Sequence, residues 1–252
     1  MKINQEQYDK IKHVLPVQHG NVSINNIDFI NALLYICENG CKWRRLPSEF
    51  GKWHPIYKRF RYLVKEGYIE KLFYELFDQE LFSGSTYPLF LDSTTVKVHP
   101  DTCGALKKMR EQAIGKSSGG LTTKIHMVSA SDKISVNFIL SKGNAHDAPQ
   151  GRLLMETLGK QKATKPLVMD RAYEDDYTRY IAQTLKFEPV VPPKKNRKNP
   201  WEYDKTLYKR RNEIERLFRN LKGFRRIFTR FEKLDEMFVG FIQLALICMR
   251  IQ

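Results

Sequence analysis

Tyr208, Arg211, Glu215 and Lys222 follow one another at intervals of three, four and seven residues. On a helix turning about 100° per residue they fall within about 60° of each other. Beside them Ile214, Leu217, Phe218 and Leu221 make an apolar stripe suited to docking on a core. One carboxylate therefore sits in a line of basic and phenolic groups at the edge of something buried. Such a face could hold a metal ion and the phosphodiester that the metal activates. A plain basic surface helix would show the same periodicity, so the rest of the chain must separate the two readings.

Two more acids lie where a carboxylate is informative. Asp92 follows Leu89, Phe90 and Leu91 inside YPLFLDSTTVKVHP, residues 87–100, a β-branched and apolar run that reads as a strand. Unpaired charge is costly there, although an Asp at a strand end or in a salt bridge would look the same. Asp170 ends the short buried strand of KPLVMDRAY, residues 165–173, the position expected of an active-site acid at the carboxyl end of a sheet strand. His146 and Asp147 in GNAHDAPQ are candidates for substrate contact, with a helix-capping role as the alternative for Asp147.

The chain of 252 residues carries 43 Lys and Arg against 28 Asp and Glu, a formal charge of +15. The excess is concentrated: residues 194–230 hold 14 basic and 4 acidic side chains. That points to a polyanion partner, nucleic acid first. A membrane surface fits less well, because the basic groups are interleaved with polar and aromatic ones over several elements. The opening MKINQEQYDKIKH lacks the apolar run of a signal peptide. The longest apolar stretch, Met237–Met249, is interrupted by Gln243 and too short for a comfortable span. Cysteines at 37, 41, 103 and 248 give neither a disulfide framework nor zinc spacing, and half-buried thiols in a reducing cytoplasm are expected.

The elements that must position these groups can be read in order. Helices are expected at 4–15, 26–38, 53–65 and 69–82, with a polar connection from His19 to Asn25. The 53–65 helix shows Lys58, Arg59 and Arg61 on its outer side. Residues 1–83 thus form a helical DNA-binding module, of helix-turn-helix type or a structural cap, in which those three side chains could read a groove. From residue 84 the pattern changes. Strands are expected at 87–100, 121–130, 134–141, 165–170 and around 187–191. A glycine-rich basic loop fills 101–120, and helices fall at 148–158, 174–185, 206–223 and 234–251. The fold class is α/β with an α+β-like helical N-terminal module. Residues 84–252 form a mixed five-stranded sheet flanked by helices, a ribonuclease H-like arrangement. Asp92 on the central strand, Asp170 on a neighbour and Glu215 from a helix on the sheet could then converge. Such a cluster repels itself unless cations neutralise it. Two Mg²⁺ ions roughly 3.5–4 Å apart would do so.

The chain resembles bacterial insertion-sequence transposases of the DDE class. The resemblance rests on Y-x2-R-x3-E-x6-K, matched by Tyr208, Arg211, Glu215 and Lys222. It rests also on YPLFLDSTTVKVH, AIGKSSGGLTTKIH and KPLVMDRAY, and on the leader-like GCKWRRLPSEFGKWHPIYKRF. It implies that Asp92, Asp170 and Glu215 are catalytic and hold two Mg²⁺ per active site, with Mn²⁺ able to substitute. It implies hydrolysis of a phosphodiester at an element end, then attack of the 3′-OH on target DNA. Tyr208, Arg211 and Lys222 would contact phosphate. Lys194, Lys195, Arg197, Lys198, Arg225 and Arg226 would add DNA contacts. The implied partners are double-stranded DNA with terminal inverted repeats and target DNA, engaged by at least a homodimer, with no membrane. The implied location is the bacterial cytoplasm, at the nucleoid. A ribonuclease H-like nuclease that does not join strands, and a catalytically inactive DNA-binding protein of transposon origin, remain as alternatives.

Overall fold

A computed structural model describes residues 1–18, 24–81, 87–105 and 111–252. The boundary expected between 83 and 84, most of the polar connection at 19–25 and part of the basic loop at 101–120 lie outside the described residues. In chain order the elements are α1 (Gln5–Asp9), α2 (Asn26–Asn39), α3 (Trp53–Lys65), α4 (Tyr68–Leu81), β1 (Leu89–Val98), β2 (Gly115–Ser117), β3 (Gly120–Ser129), β4 (Ser135–Lys142), α5 (Asp147–Leu158), β5 (Lys165–Met169), α6 (Asp176–Thr184), β6 (Phe187–Val190), α7 (Lys205–Lys209), α8 (Asn212–Gly223), α9 (Arg225–Phe228), β7 (Thr229–Arg230) and α10 (Asp235–Ile251). They form two compact units. One holds Met1–Leu76, Val98–Gln112 and Asn220–Gln252; the other holds Phe77–Lys97 and Ala113–Arg219.

The first unit is helical. Asn25 caps α2 by accepting the Asp28 N–H, and Gly40 ends it with φ 64°, a left-handed stop that glycine takes without strain. The apolar α10 packs on α3 with the Phe60 and Phe241 rings 4.7 Å apart. Gly240 permits that approach, since a Cβ there would lie 2.5 Å from Val64 Cγ2. Cys37 and Cys248 are buried free thiols. Among the described residues no helix is long and apolar enough to cross a membrane.

The second unit is built on the sheet. β1 lies at its centre, antiparallel to β3 and parallel to β5, which is in turn parallel to β6. β4 pairs antiparallel with β3. These five strands, in the order β4-β3-β1-β5-β6 with helices flanking them, are the mixed ribonuclease H-like sheet expected from the sequence. One short strand extends it: β2 forms a tight hairpin with β3 inside the glycine-rich stretch read as loop. Gly120, at φ 95°, makes that hairpin possible. Leu89, Leu91, Leu167 and Met169 from the strands pack with Leu154 and Met155 of α5, Ala182 of α6 and Tyr173. Burying such side chains contributes roughly 1.5–3 kcal/mol each, and it fixes the strand register on which the site depends.

The helix expected over 206–223 is broken. Arg210 and Arg211 are turn residues between α7 and α8. Three N–H groups there, of Arg210, Arg211 and Glu213, bond to carbonyls three residues back rather than four. This tightens the backbone where the periodicity predicts uniform helical spacing.

Candidate active site

The register of β1 and β5 brings the two aspartates together. Leu89, Phe90 and Leu91 pair with Leu167, Val168 and Met169. Asp92 and Asp170 are therefore the residues that follow the last paired positions of two adjacent parallel strands, where neighbouring chains run about 4.8 Å apart. Asp92 still lies in β1 opposite Met127 of β3, while Asp170 has just left β5. The β1–β5 pairing ends at Leu91 and Met169, while Ser93 still pairs with His126 of β3. The Ser93 N–H donates to Asp92 Oδ1 at 2.7 Å.

Arg211 completes the arrangement. Its Nη1 donates to Asp92 Oδ2 at 2.7 Å, and its Nη2 donates to Glu215 Oε1 on the next turn. One guanidinium thus links the acid of the central strand to the acid of α8. The Asp92 carboxyl is pushed up to about 6. Burial is the main cause, and nearby Asp170 and Glu215 add to it; the Ser93 N–H and Arg211 pull the other way. For Arg211, burial works against the charge, but the carboxylates of Asp92, Glu215 and Asp170 outweigh it and hold its pKa above the ordinary value. Tyr208, on α7, is half-buried. Burial, and then Asp170, raise its pKa against the pull of Arg211. Lys222 sits seven residues beyond Glu215 on α8, and burial lowers its pKa. Among the described residues no three His, Cys, Asp or Glu side chains stand close enough to hold a metal ion. At this site the Arg211 guanidinium takes the space between Asp92 and Glu215.

The remaining basic residues divide by burial. Lys195 and Lys198 are exposed, as are Lys58, Arg61 and Arg225. Lys194 pairs with Glu174 at 3.0 Å. Arg197 donates to Glu174 and Asp176 and lies over the Trp201 ring, so it anchors the basic stretch to its own unit. Two expectations of DNA contact are corrected. Arg226 is 4% exposed. It is held by Glu232 and the Cys41 carbonyl among Trp43, Phe231 and Phe241. Arg59 turns inward over the Phe29 ring, where it reaches Asn26 and the Ile24 carbonyl. Both guanidiniums are spent inside the fold.

Asp147 is not a cap. The residue preceding α5 is His146, which makes no side-chain cap bond. Asp147 is the first helical residue, and its Oδ1 accepts Lys124 Nζ at 2.8 Å and Ser93 Oγ at 3.0 Å. With partly buried Arg152 and exposed His146 and Lys194 it lines a cavity of about 560 Å³. His126, buried beneath, contacts Ser141 Oγ through Nε2 at 2.7 Å and lies 3.9 Å from Asp147 Oδ1 through Nδ1. Burial lowers its pKa to about 4. Ser93, Lys124 and Glu174 were not singled out from sequence, because each gains its meaning from a partner 20 or more residues away.

The chain is similar to known proteins over most of its length. Residues 3–73 match the family described as "Putative transposase of IS4/5 family (DUF4096)", and residues 83–250 match "Transposase DDE domain". The chain is 34% identical over 126 residues to "Putative transposase for insertion sequence element IS6501" of Brucella ovis, a match covering 50% of this chain and 95% of that protein. It is 24% identical over 106 residues to "Uncharacterized protein y4sN" of Sinorhizobium fredii, covering 41% and 82%. Among solved structures it is similar to a piggyBac transposase synaptic complex with hairpin DNA, at 12% identity and TM-score 0.39. That match covers 76% of this chain and 47% of the piggyBac chain, so this chain spans a little under half of it. It is also similar to a Mos1 mariner paired end complex with Mn, at 11% identity and TM-score 0.31, covering 96% and 83%.

Proposed function

The chain belongs to the transposases with a DDE domain, and from that premise we propose that it cuts DNA at the ends of a mobile element and joins the freed 3′-OH to target DNA. The observation that carries this reading is the juxtaposition of three acids around one guanidinium. Asp92 and Asp170 are adjacent in register, and Arg211 ties Asp92 to Glu215. Three carboxylates against one guanidinium leave a formal charge of −2 when all are ionised. Oxygen donors with that surplus suit hard divalent cations such as Mg²⁺ or Mn²⁺ in kind, but to hold one they would have to draw closer and Arg211 would have to leave its place between Asp92 and Glu215. Asp92, Asp170 and Glu215 would hold it. Bound there, such ions lower the pKa of water or of a 3′-OH and neutralise charge developing on the phosphate.

The chain's own residues do the rest. Arg211, once a phosphodiester competes for its guanidinium, exchanges a carboxylate for a phosphate oxygen and orients the scissile group. Tyr208, with its hydroxyl kept protonated, donates to phosphate or stacks on a terminal base. Lys222 adds positive charge on α8. Exposed Lys195, Lys198 and Arg225 supply salt-dependent affinity for the duplex, and Lys58 and Arg61 present α3 to a groove. Residues 1–83 would serve as the end-binding module and 84–252 as the catalytic one. Two element ends must be held together, so at least a homodimer on DNA follows.

The test is cleavage and joining of supercoiled plasmid carrying the element's own ends, with Mg²⁺ or Mn²⁺, for wild type beside Asp92→Asn. Loss of both reactions in the variant with DNA binding retained is the expected result. Cleavage without joining would turn the reading into a nuclease. Binding without either reaction, in both proteins, would leave an inactive DNA-binding relic.

A further inference from the structure

We propose that Asp147 is a positioning residue for the Asp92 carboxylate and acts through Ser93. This rests on the reading of Asp92 as a catalytic acid. Successive residues of a strand face opposite sides of the sheet. Phe90 and Asp92 face Arg210 and Arg211, while Leu91 and Ser93 face Tyr173 and α5. Asp92 thus stands on the chemistry side, and the residue after it is gripped on the other.

The grip is specific. Asp147 takes the Ser93 hydroxyl at 3.0 Å and the Lys124 ammonium at 2.8 Å, both on Oδ1. Lys124 is itself fixed, since its Nζ also donates to the Ala145 carbonyl at 2.8 Å. Asp147 cannot drift, because α5 is seated where a Cβ on Gly151 would fall 2.6 Å from Tyr173 Cε1. A rigid helix and a lysine of β3 therefore hold the Ser93 hydroxyl. The N–H of that same residue donates to Asp92 Oδ1 at 2.7 Å. Past the end of β5, β1 is still paired with β3 at Ser93 and His126, but no β1–β5 pair continues beyond Leu91 and Met169. Asp147 adds a hold on the Ser93 side chain from the opposite face. The Asp92 carboxylate is left with Oδ1 fixed by Ser93 and Oδ2 presented to Arg211. None of these contacts lies on the side where DNA would approach Arg211. The network should therefore govern turnover rather than binding.

The experiment joins a spectroscopic readout to a kinetic one on the full chain. In ¹⁵N-labelled protein the Ser93 amide proton, bonded to a carboxylate, should resonate downfield. It should move upfield in Asp92→Asn, and equally in Asp147→Asn and Ser93→Ala, whose Asp92 is intact. Ser93→Thr keeps the hydroxyl and should retain the wild-type position. On plasmid carrying the element's ends, with Mn²⁺ at saturating DNA, Asp147→Asn and Ser93→Ala should cut about 10- to 100-fold more slowly, the loss typical of partners behind a ligating group. DNA affinity should stay within about twofold, Ser93→Thr should restore the rate, and the double variant should be no slower than the worse single. A Ser93 amide that ignores Asp147→Asn overturns the proposal, as does an unchanged rate in variants whose amide has moved. If Asp147→Asn does not fold, Ser93→Ala beside Ser93→Thr decides alone. A wild type whose amide behaves as described but which never cuts with Mn²⁺ would remove the transposase reading and, with it, a catalytic purpose for the contact.

Discussion

Asp92→Asn should make the metal-free protein more stable while abolishing its chemistry. The Asp92 carboxyl is raised from its ordinary 3.8 to about 6, mainly by burial. The folded state therefore binds its proton more tightly than the unfolded state does. Above about pH 6 the folded protein bears the full cost of an ionised, buried carboxylate; between 6 and 3.8 that cost fades, and below 3.8 it is gone. At about 1.4 kcal/mol per pKa unit, the displacement corresponds to about 3 kcal/mol. Asparagine resembles the protonated acid in shape and charge. The variant should thus gain about 3 kcal/mol at pH 7.5 in the presence of chelator, and the gain should shrink towards zero as the pH falls to 4. Urea unfolding of both proteins at a series of pH values measures it. The difference between them isolates Asp92, since other titrating groups, including His126 with its opposite pH dependence, are common to both. Mn²⁺ should raise the midpoint of the wild type by about 2.7 kcal/mol at a hundredfold excess over its dissociation constant and leave the variant unmoved. A variant equal to or weaker than wild type at pH 7.5 would refute the reasoning, and so would a gain that does not change with pH.

Neutralising Lys195 and Lys198 together should weaken binding to cognate and random DNA alike and reduce the salt slope by about 2. An effect confined to cognate ends would contradict backbone contact. Arg197→Ala, by contrast, should lower the thermal midpoint, because it takes Arg197 away from Glu174 and Asp176; a midpoint equal to wild type would show that the anchor is dispensable. Arg226→Ala should destabilise by about 3–5 kcal/mol, because it strands Glu232 without a countercharge in the interior, and chemical denaturation will show a much smaller loss if the pair is solvated. The His126 ring, with its pKa near 4, should show imidazole resonances that stay flat from pH 8 down to 5. Its contribution to stability is present above pH 6.5 and lost as the pH falls towards 4; an NMR midpoint near 6.5 would contradict its burial.

Most of the sheet could be read from the chain because its strands alternate or run apolar and are bounded by turn residues. β1, β3, β4, β5 and β6 fall within a few residues of the expected spans, and α3 coincides with its expectation. Asp92 and Asp170 are conspicuous for one physical reason: each is a charge in or directly after an apolar strand run. The misses have another cause. Arg225 and Arg226 are identical neighbours in sequence, yet one is exposed and the other is surrounded by Glu232 and aromatic rings. Lys58, Arg59 and Arg61 likewise share one helix, and only the location of Phe29 and Asn26 singles out Arg59. No glycine or proline marks the break at Arg210 and Arg211, so helical periodicity ran through it. Asp147 has the residue type of a cap at a helix start, and only its pairing with Ser93, 54 residues earlier, shows otherwise.

The break between α7 and α8 also explains what the spacing of the signature accomplishes. Glu215 lies one turn beyond Arg211, so the guanidinium can reach a carboxylate of its own segment with one nitrogen and Asp92 of the central strand with the other. Tyr208 precedes the break and feels Asp170. The four-residue interval from Arg to Glu therefore carries an acid and its countercharge into the site together. Two neighbouring aspartates alone would repel each other and disfavour the folded state. With Arg211 delivered by the same segment as Glu215, the cluster can fold before any other cation is bound, and its hydrogen bonds go to a group that a phosphate can draw away. On this argument the Arg and the first Asp are coupled: Arg211→Ala should raise the Asp92 pKa above about 6, whereas Arg211→Lys should restore charge but not the two-pronged geometry. Carboxylate-resolved ¹³C titration of the two variants separates these contributions, and an Asp92 pKa unmoved in both would show that Arg211 is a bystander.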